Sequence, residues 1–508
     1  MKPNVLPEEK TAGIGMHFSS LSGSHGIGDI GDSAHAFVNK LSSMKIGTWQ
    51  FLPTGPTAYG DSPYQPLSAF AGNELLIGLD SLLRQGLLTS AETDVLTGFS
   101  SASVDYGNLI PKKYALLYQA ASRFTAQASI ELRTAFDDFL HLNDEGWLAD
   151  YAIYRILKSQ HSERPWPEWD PAYVHREPTA MRKVMDCQRG AIDNIKVIQF
   201  LFDRQWRSLK RHARENQVSL FGDMPIYIAL DSSDAWAHPE ILLINEDGQP
   251  SQVAGVPPDY FSADGQLWGN PIYDWGYHET SGFEWWIDRM HHAANQSDMV
   301  RIDHFRGLES YWSVQFGAET AREGEWLPGP RDGLFNAMQG ALGSLPIVAE
   351  DLGVITPEVD GLRHRHNIPG MKVLQFEVGD PTFNPADIDD HCVCYTGTHD
   401  NDTTVGWFNA GGEDTRSDDE VLHNQQNAIK VTNGKAETIH LDMIRLAFES
   451  KARLAIAPMQ DLLGLGSEAR LNIPGTTSNN WRWRVIDEQL SPAFCESVAN
   501  LVEETSRA

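Results

Sequence analysis

The chain has 508 residues, 41% of them apolar and 21% charged, which is the make-up of a soluble globular protein. That length accommodates about three average domains or one large decorated one, and the composition excludes disordered, collagen-like and low-complexity scaffolds. Forty Lys and Arg against 69 Asp and Glu leave a net charge of −29. A field of that sign repels phosphate backbones and anionic lipid, so neither a nucleic-acid nor a membrane partner is expected, whereas a neutral sugar is not disfavoured.

Residues 1–11 are polar, hold two prolines and lack the apolar core of a signal peptide. No apolar run reaches the roughly 18 residues of a membrane span. Four cysteines without CxxC spacing (Cys187, Cys392, Cys394 and Cys495) do not make a disulfide framework. A cytoplasmic, reducing location is expected.

Runs of β type stand at 13–18, 47–52, 220–228, 299–305, 347–350, 372–376, 392–396 and 455–459, and helical stretches separate most of them. Eight alternating units predict a (β/α)8 TIM barrel rather than a doubly wound sheet. Asp223 lies within its run, and Asp303, Glu350, Asp400 and Asp461 lie at or just past theirs, so a barrel would gather them at one mouth. The interval 80–217 is too long for one crossover. Apolar residues at i, i+3 and i+4 mark helices at 114–126, 131–142, 147–158 and 191–216. This predicts a mainly helical subdomain, 80–217, inserted between a first barrel part, 1–79, and the remainder with its rim loops, 218–508. Residues 409–437, polar and Gly-, Asp- and Asn-rich, read as an exposed loop with helical stretches. Cys392 and Cys394 flank Val393 and are expected on one face of a strand.

Several motifs carry a bland reading better than a chemical one. Gly26-Ile27-Gly28-Asp29-Ile30-Gly31 matches GxGxxG, but it does not run straight off a strand. No acidic residue closes a second strand about 20 residues later, so a Gly-rich barrel loop is the better account. His364-Arg365-His366 reads as solvated surface. Asn245-Glu246-Asp247-Gly248 lacks the distal ligands of a calcium loop and reads as a turn.

The carboxylates form a stronger pattern. In Val300-Arg301-Ile302-Asp303-His304-Phe305-Arg306 the strand period puts Arg301 and Asp303 on one face, and an arginine beside a carboxylate suits a nucleophile. Glu350 follows an apolar strand directly, where burial raises a carboxyl and suits it for proton donation. Asp400 adds a third carboxylate next to His399. Two carboxylates of opposed tuning are the equipment of glycosidic-bond chemistry. The loops Tyr59-Gly60-Asp61-Ser62-Pro63-Tyr64 and Val256-Pro257-Pro258-Asp259-Tyr260-Phe261 add stacking faces and acceptors for sugar rings, or else ordinary loop packing.

At these residues the chain resembles the amylomaltase, or 4-α-glucanotransferase (disproportionating enzyme), family related to the α-amylases. The matching stretches are PTAYGDSPYQ (56–65), GDMPI (222–226), VPPDYFSADGQLWGNPIYDW (256–275), RIDHFRG (301–307), AEDLG (349–353), PGMKVLQF (369–376), GTHDNDTTVGW (397–407) and NNWRWR (479–484). The resemblance implies a (β/α)8 barrel with inserted subdomains and no required metal or organic cofactor. It implies Asp303 as nucleophile, Glu350 as general acid/base and Asp400 as the carboxylate gripping hydroxyls of the transferred sugar. Arg301 and His399 would support these, and Tyr59, Asp259, Tyr260, Gln266 and Trp268 would cover donor and acceptor sugars. The expected partners are α-1,4-glucan donors with glucose or maltooligosaccharide acceptors. Water in place of the acceptor would make the chain a hydrolase, and loss of turnover a silent glucan-binding protein. Ala58 and Arg331 stand where this family usually has glycine, which bears on substrate-length preference.

Overall fold

Eight short strands carry the architecture: β1 (Thr11–Gly15), β2 (Thr48–Gln50), β3 (Ser219–Met224), β4 (Met299–Ile302), β5 (Ile347–Ala349), β6 (Gly370–Val373), β7 (Cys392–Tyr395) and β8 (Leu454–Pro458). In this computed structural model, which describes residues 5–258, 264–411 and 414–508, they pair in parallel in the order β6-β7-β8-β1-β2-β3-β4-β5. The Ala349 amide, at the end of β5, donates to the Pro369 carbonyl just before β6 at 2.8 Å, which brings the two edges of the sheet together. The expected (β/α)8 barrel is thus the observed fold.

Side-chain alternation fills the barrel. Phe221, Met299, Val348, Met371, Val373, Val393, Tyr395, Leu454 and Ile456 form one buried inner cluster, while Trp49, Cys392, Cys394 and Ala455 pack outward against helices. The two cysteines do share a face. A Cβ on Gly13 would stand 2.8 Å from the Ile456 side chain, so β1 needs glycine where its neighbour fills the interior.

Helices return the chain between strands, among them Asp32–Ser43, Glu284–Gln296, Arg331–Leu342, Pro357–Arg365 and Ile439–Glu449. The long interval before β3 holds Tyr106–Gln127, Ile130–Asn143, Ala149–Gln160, Pro178–Cys187 and Arg189–Glu215. The last of these buries Ile195, Ile198, Leu201, Gln205 and Leu209, a stripe of period 3 to 4. Gln199 and Gln205 on that helix each grip the backbone of one glycine with both side-chain groups. Gln199 bonds the amide and carbonyl of Gly72 at 2.8 and 2.9 Å, and Gln205 those of Gly78 at 2.7 and 2.9 Å. The segment leaving the β2 loop is therefore clipped to the barrel wall.

The structure departs from the expected elements in several places. The run 220–228 stops as a strand at Met224, because Pro225 has no amide for a ladder bond. The run 372–376 becomes a helical turn, Leu374–Glu377, after Val373. A second sheet of four antiparallel strands was not expected; it joins Gln266–Pro271, Gln252–Val256, Ser310–Gln315 and Gly324–Pro328 in that order. His366 is buried rather than solvated, with Nε2 2.8 Å from Asp332 Oδ1.

Other expectations hold. Asn245 Oδ1 accepts the amides of Asp247 and Gln249 at 3.0 and 2.9 Å, an Asx turn. Ser417 and Glu420 cap the helix Asp418–Thr432 within the polar segment. At the GxGxxG stretch, Asp29 Oδ1 accepts the Gly31 amide at 2.9 Å and the Ser33 amide at 3.3 Å. Its own carboxylate therefore fills the helix start that a phosphate would need.

Arg331 occupies a left-handed backbone, φ 50°, which explains a glycine at that place. Here the arginine is compensated: its guanidinium meets Glu309 Oε1 at 2.9 Å and donates to the Glu309 carbonyl at 3.2 Å. Ala58 has no positive φ and stands without strain.

Candidate active site

Arg301, inward-facing on β4, organises the mouth of the barrel. Nη1 donates to Asp223 Oδ2 on β3 at 2.6 Å, and Nη2 donates to Asp303 Oδ1 at 2.7 Å. The Asp223 side chain is 1% exposed and that of Asp303 30% exposed, so the pair is graded from a buried anchor to an accessible carboxylate. Tyr64 donates its hydroxyl to the same Asp223 oxygen at 2.7 Å, and its ring stacks on His399 with centroids 5.0 Å apart and planes 15° apart. Trp481, from the NNWRWR stretch, closes this aromatic group at 6.0 Å from Tyr64 and 5.9 Å from His399.

Glu350 stands at the end of β5, the neighbouring strand. The two strand ends clasp each other: the Glu350 amide donates to the Ile302 carbonyl at 3.0 Å, and the Phe305 amide donates to the Glu350 carbonyl at 3.1 Å. Between them His304 takes left-handed angles, φ 50° and ψ 49°, uncommon for a residue with a Cβ. That turn aims the His304 amide at Glu350 Oε2, 2.7 Å away, while the Leu352 amide reaches Oε1 at 2.8 Å. Burial pushes the Glu350 carboxyl up to about 7; Asp303 adds to the rise, and Arg301 and the two amides oppose it. Burial likewise lowers His304 to about 4, so its ring is neutral.

Asp400 follows β7 on an irregular loop. Its Oδ1 lies 3.3 Å from His399 Nε2 and accepts from Asn472 Nδ2 at 2.6 Å, and Arg470 Nη2 donates to its carbonyl at 2.8 Å. Trp268 and Gln266 sit on the second sheet, where Trp268 Nε1 donates to Gln266 Oε1 at 3.1 Å. The Trp268 ring meets His304 edge-on at 4.8 Å, which places it beside the turn that follows Asp303. Gln65 Nε2 bonds Asn270 Oδ1 at 2.9 Å and ties the 59–65 loop to that sheet. Tyr59 opens the turn Tyr59–Asp61. Its side chain, and the whole of Asp259 and Tyr260, lie outside the described residues.

The structure thus links Asp303, Arg301, His399 and Asp400 through direct contacts or through Tyr64 and Asp223, and ties Glu350 to the Asp303 strand end through backbone bonds with residues 302–305. Asp461, expected at the mouth, is instead 1% exposed beneath the Asp400 loop. Tyr64 was expected only as part of a sugar-stacking loop, and Asn472 and Trp481 carried no expected role. Tyr64 and Trp481 stand inside matched motifs, which was their available signal, whereas Asn472 lies in an aperiodic segment without one. Among the described residues, no three His, Cys, Asp or Glu side chains are grouped to hold a metal ion.

Carboxylates and aromatic rings at the C-terminal mouth of a (β/α)8 barrel define a class, the carbohydrate-active barrel enzymes. Comparison with known proteins narrows it. The 4-alpha-glucanotransferase profile of glycoside hydrolase family 77 matches residues 16–488. A 4-alpha-glucanotransferase of Synechocystis sp. is 45% identical over 492 residues, covering 95% of each chain. One of Thermus thermophilus is 42% identical over 500 residues, covering 97% of this chain and 98% of the relative. The solved amylomaltase of Streptococcus agalactiae in complex with acarbose superposes with a TM-score of 0.93 at 35% identity, covering 98% of this chain and all of the other. The chain belongs to the 4-alpha-glucanotransferase family, glycoside hydrolase family 77.

Proposed function

We propose that the mouth residues carry out the transferase reaction of this family by a retaining double displacement on α-1,4-glucans. The enzyme is a 4-alpha-glucanotransferase, which moves a glucan segment from a donor to the 4-hydroxyl of glucose or of another chain. Asp303 attacks the anomeric carbon while Glu350 protonates the departing glycosidic oxygen, leaving a glycosyl ester on Asp303. Glu350, now ionised, takes the proton from the acceptor hydroxyl, which displaces Asp303; two inversions retain the α configuration. His399 and Asp400 hold hydroxyls of the transferred sugar. Tyr59, Asp259, Tyr260, Gln266 and Trp268 cover the donor and acceptor sugars, and a covered intermediate favours an acceptor over water.

The observation that carries this reading is the contrast between two neighbouring strand ends. Asp303 is ion-paired to Arg301, whereas the Glu350 carboxyl is held by the His304 and Leu352 amides and poised near neutrality, where one group serves as acid and then as base. The four free cysteines fit a cytoplasmic location. No helix among the described residues is long and apolar enough to cross a membrane. We keep residues 80–217 as an inserted subdomain, on the run of helices found there.

Trapping tests the reaction course. A donor fluorinated on its sugar ring, with fluoride as leaving group, should leave one glycosyl unit on the peptide that contains Asp303, visible by mass spectrometry. A label on any other carboxylate overturns the assignment.

A further inference from the structure

His399 and Asp400 ride on residues 397–403, a loop with no regular structure between β7 and the helix Thr404–Phe408. Such a segment needs an external constraint to hold two side chains in one geometry, because each unconstrained backbone residue retains conformational freedom. Both ends of this loop meet one group. Asp461, in the turn Met459–Leu462 directly after β8, accepts the Thr396 hydroxyl on Oδ2 at 2.6 Å and the Thr404 hydroxyl on the same oxygen at 2.8 Å. Its Oδ1 accepts the Thr404 amide at 2.6 Å. Thr396 is the residue after β7 and Thr404 the first of the helix, and both are fully buried.

One carboxylate therefore pins both ends of the loop, and the loop is braced from within and from the side. Asn401 Oδ1 accepts the amide and hydroxyl of Thr398 at 2.9 Å each, and Gln375 Nε2 donates to the Asp402 carbonyl at 2.9 Å. The three bonds of Asp461 go to the two threonines, so this buried acid serves geometry. A carboxyl group suits the place because its two oxygens can accept all three donors. An apolar side chain would leave a buried amide and two buried hydroxyls unpaired.

We propose that Asp461 is a positioning residue for glucan transfer: its buried carboxylate fixes the span of loop 397–403 and so sets where His399 and Asp400 meet the sugar. The proposal rests on the reading of those two residues as sugar-gripping groups. In Asp461→Asn one acceptor oxygen remains for the Thr404 amide, and the new amide group faces hydroxyls that must turn to accept. The loop survives but is held less tightly.

A mutant cycle tests it. Asp461→Asn should lower kcat on maltotriose by about 10- to 100-fold, the scale of an ångström-sized misplacement. Asp400→Asn should also lower it, and the double variant should fall well short of the product of the two single losses, because part of the Asp461 effect acts through Asp400. A merely structural defect reduces the active fraction equally in both backgrounds, so multiplying effects overturn the proposal. A near-normal Asp400→Asn overturns the reading of the loop and the proposal with it. Should Asp461→Asn fail to fold, Thr396→Val removes one donor at constant volume. That variant should lose about 3- to 10-fold in kcat, with Thr396→Ser restoring it; a Thr396→Val enzyme equal to wild type contradicts the proposal.

Discussion

Asp303→Asn is expected to fold, to bind maltooligosaccharides and to lose transfer by roughly 10⁴-fold or more, the scale on which removing a nucleophile acts. The amide is isosteric, and its oxygen can still accept from Arg301 Nη2, now 2.7 Å from the carboxylate. Arg301 also keeps its bond to Asp223, so the inner anchor of the site is unchanged. What is lost is the ability to form a glycosyl ester. Binding measured by calorimetry together with product formation separates the two effects. Retained binding with abolished transfer is the expected pair; transfer near the wild-type rate, with contaminating enzyme excluded, contradicts the assignment.

Glu350→Gln should lower turnover of ordinary glucans by about 10²–10⁴-fold, the usual worth of general acid catalysis. Its loss should depend on the leaving group. Glucose is a poor leaving group and needs the proton, whereas a glucosyl fluoride does not, so the fluoride should still load the enzyme. The pH profile gives a second readout. A carboxyl raised to about 7 stays protonated, and able to donate, up to that pH and loses its proton above it. In the wild type, kcat/KM should therefore fall as pH rises through about 7. The amide in Glu350→Gln cannot titrate, so the variant should lack that limb. Equal losses for both donors, or an unchanged alkaline limb, would assign the proton to another group.

The barrel was legible because most of its eight strands are short, largely buried apolar runs, a signal that depends on local composition. Asp303, Glu350 and Asp400 were legible for the same reason, standing where those runs turn polar. The second sheet was not. Its strand Gly324–Pro328 is exposed along most of its length and pairs with Ser310–Gln315, and such strands carry no apolar period to read. Long-range partners also set the behaviour of single residues. His366 is buried because Asp332, 34 residues earlier, supplies an acceptor. Tyr64 belongs to the site because Asp223, 159 residues later, takes its hydroxyl. Asp461 has the sequence signature of a mouth carboxylate, a strand end followed by an acid. Its side chain turned instead to two threonines from the neighbouring loop, a choice that chain order does not encode.

The distinction between transfer and hydrolysis depends on what reaches the glycosyl ester, and one chromatogram decides it. Purified enzyme incubated with maltotriose alone should yield glucose together with a ladder of chains longer than three units, with no net gain in reducing ends. That outcome requires a second sugar to open the intermediate formed on Asp303. Only glucose and maltose, with reducing ends rising in step, would make water the acceptor and the chain a hydrolase; unchanged maltotriose would make it a glucan-binding protein.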